Sequence, residues 1–294
     1  MNDKLPATSS CCSSPQDVRD IVRDEYGRIA TAAGAPGCGC CASPGAAEDI
    51  ARRVGYSPDD LRGLPEGANM GLSCGNPAAL AGLSCGEVVL DLGCGGGFDV
   101  FLAGPRVGPT GRVIGVDMTP QMISKARRGI DQYRARTGLD NVEFRLGEIE
   151  HLPVADASID VVISNCVINL SPDKPAVWRE IARVLRPGGR VAISDIALLR
   201  PLPQTVRKMA EALVGCVAGA ILIEEYRSIV EAAGFTDISL EPRRGYMDAL
   251  ASAGSELYLH IAEALPAGST PGDFVTSIDI KARKPAAGVC CCKA

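Results

Sequence analysis

Residues 88–117 read VVLDLGCGGGFDVFLAGPRVGPTGRVIGVD. The stretch contains two short apolar runs, each ending in an aspartate, with a glycine-rich loop and a helical segment between them. Short apolar runs bounded by glycines are typical of strands buried on both faces, and their repetition across a helix predicts parallel β-α-β winding. The glycine loop then lies at the carboxyl end of a strand, which is where open α/β sheets bind ligands.

The loop and the second aspartate together predict a nucleoside site. Glycines at 93, 95 and 97 let the backbone approach a ligand closely. Asp117 lies 22 residues beyond Gly95, at the tip of the next strand, where a carboxylate can accept hydrogen bonds from ribose hydroxyls. The dinucleotide fingerprint needs a third glycine at the position of Phe98, so the pattern disfavours a dinucleotide.

Composition restricts the function classes. The chain has 294 residues, a formal net charge of -5 and only 4% aromatic residues, which disfavours nucleic-acid binding. The first 17 residues contain no apolar core of a secretory signal, and the longest apolar stretch, 212–223, is too short to span a bilayer. We therefore expect a cytoplasmic monomer that acts on a small molecule, without nucleic-acid or membrane partners.

Apolar periodicity predicts alternating strands and helices through most of the chain. Strands are predicted at 88–92, 112–116, 142–146, 159–164, 190–195, 236–241 and 274–281, and helices at 17–30, 47–53, 98–103, 120–137, 175–185, 210–223, 224–233 and 255–264. We divide the chain into four parts: an N-terminal helix with a flexible cysteine-containing loop (1–46), a nucleotide-binding domain (47–200), a smaller C-terminal α+β region on the substrate side (201–285) and a cysteine-rich tail (286–294).

The chain contains thirteen cysteines, which is many for a cytoplasmic protein. They cluster at 11–12, 38–41 and 290–292, with Cys74, Cys85, Cys94, Cys166 and Cys216 between these groups. The chain has no paired C-x-x-C units, and its two histidines lie far from the clusters in sequence, so a conventional structural zinc site is disfavoured.

The glycine loop and three further stretches resemble class I S-adenosylmethionine methyltransferases. The run D-x-G-x-G-x-G at 91–97, the acid followed by Met118, the LGEIEHLP stretch after the third strand and VLRPGGRVAISD occur in the family's order. The resemblance implies a Rossmann-like α/β fold, with a mainly parallel sheet covered by helices on both faces. It also implies that S-adenosylmethionine contacts these residues: Asp91, Gly93, Gly95, Gly97, Asp117, Met118, Glu148 and Ile149.

The cysteine-containing stretches narrow the resemblance to arsenite methyltransferases. GLSCGNP around Cys74, SNCVINLSPDK around Cys166, LVGCVAGA around Cys216 and the earlier GCGCC loop are similar to that family along nearly the whole chain. The resemblance implies that Cys74, Cys166 and Cys216 bind arsenic(III) and act in catalysis. A fourth family thiol lies among 38–41, and we select Cys41.

Arsenic(III) is soft and thiophilic, so thiolates are suitable ligands. Arsenic held by thiolates keeps a lone pair that can attack a methyl group, so the protein must mainly position it. Within this resemblance, we expect Cys166 and Cys216 to hold arsenic throughout. We expect Cys41 and Cys74 to form a disulfide that an external thiol reductant, of the thioredoxin or glutathione type, returns to thiols.

Two other functions remain open from the sequence. One is methylation of a small organic metabolite, for which the cysteines would be buried filler, as free cysteines often are. The other is an arsenic-binding protein rich in thiols that keeps the fold without turnover. The complete set of cofactor motifs favours arsenic methylation over both.

Overall fold

The computed structural model describes residues 15–31, 46–204, 206, 217, 219–243, 256–266 and 268–286. Its framework is a seven-stranded sheet of order β3-β2-β1-β4-β5-β7-β6. The strands are β1 (Val88–Leu92), β2 (Arg112–Asp117), β3 (Val142–Leu146), β4 (Ile159–Asn165), β5 (Leu185–Leu198), β6 (Thr236–Arg243) and β7 (Val275–Arg283). β1 to β5 pair in parallel, and β7 runs antiparallel to both β5 and β6.

Helices cover both faces of this sheet, as the sequence predicts. They are α1 (Pro15–Thr31), α2 (Ala46–Arg53), α3 (Pro58–Arg62), α4 (Pro77–Ala81), α5 (Phe98–Val107), α6 (Pro120–Arg128), α7 (Ile130–Thr137), α8 (Lys174–Val184), α9 (Ile223–Ala232) and α10 (Glu256–Ala264). Side chains of α5 to α7 form one buried cluster with the sheet, and those of α8 and α9 form a second cluster on the opposite face.

The order of the strands determines where a ligand can bind. β1 pairs with β2 on one side and with β4 on the other, so the chain reverses its direction of winding beside β1. In open α/β sheets a crevice forms at the carboxyl ends of the strands at such a reversal. The glycine loop after β1 and Cys166 after β4 both lie at this edge.

The single helix predicted for 120–137 is wrong. α6 ends at Arg128 and α7 begins at Ile130, with Gly129 donating its backbone N–H to the carbonyl oxygens of Ala126 and Arg127. A Cβ on Gly129 would lie 2.9 Å from side-chain atoms of both Phe101 and Pro65. Close packing from other parts of the chain therefore sets this break, and periodicity along the helix does not reveal it.

The ends of the fifth strand and the helix predicted for 210–223 also differ from expectation. β5 begins at Leu185 rather than at 190, because residues 186–189 form an irregular segment between its two stretches of pairing with β4. Residues 207–216 lie outside the described part. Leu222 forms a bridge with Leu198, and the next helix begins only at Ile223.

The C-terminal strands extend the main sheet. β7 pairs with β5 along nine residues, and β6 pairs with β7 at the edge, so both C-terminal strands belong to the same sheet as β1. Among the described residues, no helix combines the length and the apolar character needed to cross a membrane.

Candidate active site

A pocket lies at the carboxyl edge of the sheet, beside the glycine loop. It spans about 1010 Å³ when the part open to solvent is included. Seven of the predicted site residues line it: Asp91, Gly93, Gly95, Asp117, Met118, Ile149 and Cys166. Met70, Leu72 and Ser73 from the segment before α4 and three residues of α1 also line it.

The glycine loop adopts a conformation that other residues would rarely tolerate. Gly93, Gly95 and Gly97 have φ angles of 65°, 51° and 90°. A Cβ on Gly93 would lie 2.2 Å from a methyl group of Val167, and one on Gly97 would lie 2.7 Å from Phe101. Gly97 is thus needed for packing beneath the loop and does not itself line the pocket.

Asp117 holds this loop in place. One carboxylate oxygen accepts a hydrogen bond from the Gly95 backbone N–H at 2.9 Å, and the other accepts one from the Thr119 N–H at 2.8 Å. Burial raises the pKa of Asp117 more than these bonds lower it. The remaining lone pairs can still accept hydrogen bonds from a ligand, so one carboxylate can organise the loop and recognise ribose.

Three buried carboxyl groups line the pocket close to one another. Burial is the main cause that raises the pKa of Asp91, and the charges of Asp99 and Asp117 raise it further. Burial also raises the pKa of Asp99 to about 6, although Asp99 accepts hydrogen bonds from Tyr56 and Asn165. A cationic ligand would relieve this unfavourable burial of like charges.

Helix α1 closes one side of the pocket through ion pairs to the segment after β3. Arg19 places its Nη2 atom 3.3 Å from Glu150 and its Nε atom 3.6 Å from Glu148. Arg23 pairs with Glu148 at 3.3 Å. Ile149 and Glu150 line the pocket, whereas Glu148 lies beside it and faces α1. The role of Glu148 in adenine recognition stays a prediction.

Cys74 and Cys166 are joined by a disulfide, with their Cα atoms 6.1 Å apart. This pairing differs from the expected one between Cys41 and Cys74. The observed pairing follows from the way residues 73–76 pack against the ends of β4 and β5. The side-chain oxygen of Asn165 accepts a hydrogen bond from the Cys74 N–H at 3.0 Å, and a Cβ on Gly75 would lie only 2.3 Å from Ser194. Cys41 and Cys216 lie outside the described residues.

The disulfide lies in a buried apolar cluster next to the pocket. Cys74 is 2% exposed and Cys166 is 5% exposed, and their cluster includes Val217, which directly follows Cys216 in the sequence. Cys166 also has a φ angle of 56°, in the left-handed region that L-residues seldom adopt. Such local strain is often found at functional sites, where the surrounding structure maintains it.

Two other described cysteines have different environments. Cys94 lies buried within the glycine loop, and burial, followed by the charges of Asp117 and Asp91, raises the pKa of its thiol well above the ordinary value. Cys85 is exposed before β1. In the part of the chain that the structure describes, no three side chains of cysteine, histidine or acidic type are grouped to hold a metal ion.

Several polar residues of the site were not predicted from the sequence. Asp99, Tyr56 and Asn165 form a hydrogen-bonded group beside Cys74, and Arg19 reaches the pocket from α1. The position of Asn165, immediately before Cys166 at the end of a strand, was a usable signal. No sequence signal marked Tyr56 or Arg19, because their partners lie far away in the sequence.

Comparison with known proteins identifies a family for this arrangement. Residues 83–234 match the family model described as a methyltransferase domain. The chain is 44% identical to the arsenite methyltransferase of Halobacterium salinarum over 283 residues, which is 92% of this chain and 68% of that protein. It is also 44% identical to the arsenite methyltransferase of Aquipseudomonas alcaligenes over 165 residues, covering 55% of this chain and 46% of that protein.

A solved structure resembles both the sequence and the fold. The arsenic(III) S-adenosylmethionine methyltransferase of Chlamydomonas reinhardtii is 33% identical, with a TM-score of 0.58. The match covers 84% of this chain and 76% of that one. The predicted Rossmann-like fold with a mainly parallel sheet is confirmed.

Proposed function

The chain belongs to the arsenite methyltransferase family, and from this membership we propose that it transfers methyl groups from S-adenosylmethionine to trivalent arsenic bound by its cysteine thiolates. The observation that carries the proposal is the position of Cys166, which lines the glycine-loop pocket and is bonded to Cys74. The pocket lined by the glycine loop and the pair of cysteines therefore share one edge of the sheet. We include methylarsenite as a second substrate.

The charge of the pocket fits the methyl donor. The buried carboxyl groups of Asp91, Asp99 and Asp117 have raised pKa values, so a cation is favoured beside them. When bound, S-adenosylmethionine supplies an electrophilic methyl group on a positively charged sulfur. We propose that the backbone of the glycine loop approaches the donor, that Asp117 and Met118 contact the ribose, and that Glu148 and Ile149 contact the adenine.

The cysteines provide the substrate side. Thiolates of Cys74 and Cys166 would hold arsenic in a buried, largely apolar cluster that excludes competing water. Arsenic bound in this way keeps its lone pair, so no side chain needs to remove a proton. We propose Cys216 as the third ligand, because its sequence neighbour Val217 belongs to the same cluster. Cys41 remains our proposed fourth thiol.

The disulfide suggests how the cycle could continue. After methylation the arsenic is formally pentavalent, so another round of methylation requires two electrons. If both sulfur atoms leave arsenic together, two arsenic–sulfur bonds break, one sulfur–sulfur bond forms and arsenic regains its lone pair, and Cys74 and Cys166 are close enough for this step. We propose that an external thiol of the thioredoxin or glutathione type then reduces the bond by exchange. Such a reductant is consistent with a cytoplasmic monomer that detoxifies arsenic.

The test is incubation with arsenite, a thiol reductant and S-adenosylmethionine labelled in its methyl group, followed by separation of the arsenic species. Label in methylated arsenic is expected. Label that appears only in organic acceptors would favour a metabolite methyltransferase. Tight arsenite binding without transfer of label would favour an arsenic-binding protein, and either result would reject the proposal.

A further inference from the structure

Asn165 connects the cofactor pocket with the cysteine pair. It is the last residue of β4, it directly precedes Cys166, and it lines the pocket. Its side-chain oxygen accepts the backbone N–H of Cys74 at 3.0 Å, and its side-chain nitrogen donates to the carbonyl oxygen of Gly75 at 3.0 Å. One amide thus bonds the backbone at both ends of the Cys74–Gly75 dipeptide, about 90 residues away in sequence.

The Asn165 side-chain nitrogen also lies near a second buried pair of side chains. The Asn165 nitrogen also lies 3.0 Å from the Tyr56 hydroxyl oxygen and 3.2 Å from a carboxylate oxygen of Asp99. The Tyr56 hydroxyl donates to the other Asp99 oxygen at 2.7 Å. Tyr56 and Asp99 are both buried, which limits competition from water for the hydrogen bond between them.

We propose that Asn165 is a positioning residue for the cysteine pair, holding the Cys74–Gly75 backbone against the end of β4 so that the two sulfur atoms remain within reach of one another and of one arsenic atom. The inference deepens the proposed function and rests on it for the identity of the bound element. Its physical basis is preorganisation, because sulfur atoms that are already close lose less freedom when they share a ligand or form a bond.

Closure of the Cys74–Cys166 disulfide measures this preorganisation directly and requires no arsenic. In a glutathione buffer the two protein thiols are oxidised to one disulfide, while one oxidised glutathione is reduced to two thiols. The two protons of the protein thiols pass to the glutathione products. The equilibrium constant is the effective concentration of one cysteine beside the other. Differential alkylation and peptide mass spectrometry report this pair separately from the remaining cysteines, approached from the oxidised and the reduced side.

Two substitutions separate positioning from stability. Asn165→Ala removes both bonds to the Cys74–Gly75 unit, and we expect the effective concentration to fall at least about tenfold. Tyr56→Phe removes the bond that the Tyr56 hydroxyl donates to Asp99 and the one it accepts from the Asn165 nitrogen, but leaves the two Asn165 bonds to Cys74 and Gly75 in place. This matched control should lower the melting temperature while leaving the effective concentration within about twofold of the parent protein.

Asn165→Asp supplies a rescue that a purely structural effect would not produce. Its carboxylate can accept the Cys74 N–H but cannot donate to Gly75, and it would face the Asp99 carboxylate. As the pH falls toward about 6, a proton shared by these carboxyl groups restores a donor. We therefore expect its effective concentration, divided by that of the parent at the same pH, to rise as pH falls from about 8 to about 6.

The effective concentration measured in Asn165→Ala is the main test of the inference. An effective concentration within about twofold of the parent, or an equal fall in Tyr56→Phe, would overturn it. If Asn165→Ala does not fold, a ratio for Asn165→Asp that does not change with pH would overturn it instead. Because these measurements contain no arsenic and no methyl donor, their outcome is independent of the methylation assay that tests the proposed function.

Discussion

Asp117 illustrates how much depends on one carboxylate at the residue scale. Its oxygens accept two backbone N–H groups, from Gly95 and Thr119, and its position at the end of β2 leaves lone pairs directed to the pocket. The spacing between the glycine loop and the next strand predicted this residue from sequence alone. The hydrogen bond to Gly95 was not predicted, and it makes the loop depend on Asp117 as well.

We predict that Asp117→Ala weakens binding of S-adenosylmethionine at least about tenfold, because a charge-assisted acceptor is lost and the loop is released. The free energy of unfolding should fall by about 2 kcal/mol. Asp117→Asn is the matched control. Its affinity and stability should lie between those of the parent protein and Asp117→Ala, because its single side-chain oxygen can accept only one of the two N–H groups. Calorimetric titration measures the affinity, and an unchanged value in Asp117→Ala would place the ribose elsewhere.

Asp195 provides a pH-dependent prediction. It is fully buried at β5, where it accepts hydrogen bonds from Ile196 and Asn169, and burial raises its pKa to about 7. An unfolded aspartate has a pKa of about 3.9, so between these values the folded state binds more protons. The stability from this group is therefore complete below about pH 4 and is lost as pH rises through about 7.

Asp195→Asn stays neutral throughout this range. The substitution should destabilise the protein at all pH values because one acceptor is lost. Its cost should be smaller at about pH 8.5 than at about pH 6, by on the order of 1 kcal/mol. Denaturant unfolding of both proteins at the two pH values measures the difference. A cost independent of pH would mean that Asp195 is already ionised at pH 6.

At the scale of elements, α1 is the clearest case of a role that the sequence does not reveal. Its helical spacing predicts the helix, and the structure confirms it as Pro15–Thr31. That it covers the pocket depends on Arg19 and Arg23 meeting Glu148 and Glu150, more than 120 residues away. The break at Gly129 was missed for the same reason, because both features are set by contacts between distant segments.

We predict that Arg19→Gln speeds dissociation of S-adenosylmethionine several-fold, because α1 is then held less firmly over the pocket. The effect should diminish at high salt, which screens these partly exposed pairs. Arg28→Gln is the matched control, since Arg28 is exposed and pairs only with Glu25 on the same helix in the described structure. Stopped-flow displacement measures the rates, and equal rates for the two variants would show that α1 does not retain the cofactor.

At the scale of the whole molecule, the central strands follow from short apolar runs and glycines, which are local signals. The Cys74–Cys166 bond closes a sequence separation of 92 residues and connects the segment before β1 with the end of β4. Its partners were identified as site cysteines, but the pairing depends on the docking of 73–76, which local patterns do not encode.

We predict that reduction of this bond leaves the protein folded but lowers its free energy of unfolding by about 2 to 4 kcal/mol, because the unfolded chain is no longer constrained. Cys74→Ser should show the same loss and should become insensitive to reductant. Cys85→Ser, which alters an exposed cysteine away from the site, should behave like the parent protein. Thermal unfolding with and without reductant measures the difference. Equal stability of the oxidised and reduced proteins would contradict the prediction.

The most direct test of the account is a single turnover on arsenic that is already bound. Reduced protein is loaded with one equivalent of arsenite, freed from unbound arsenite and mixed with S-adenosylmethionine labelled in its methyl group. After acid release, the account predicts that the bound arsenic carries label in the parent protein and in Cys85→Ser, and carries none in Cys166→Ser. Bound arsenic that remains unlabelled in the parent protein, or is labelled equally in Cys166→Ser, would contradict the claim that these thiolates present arsenic to the methyl donor.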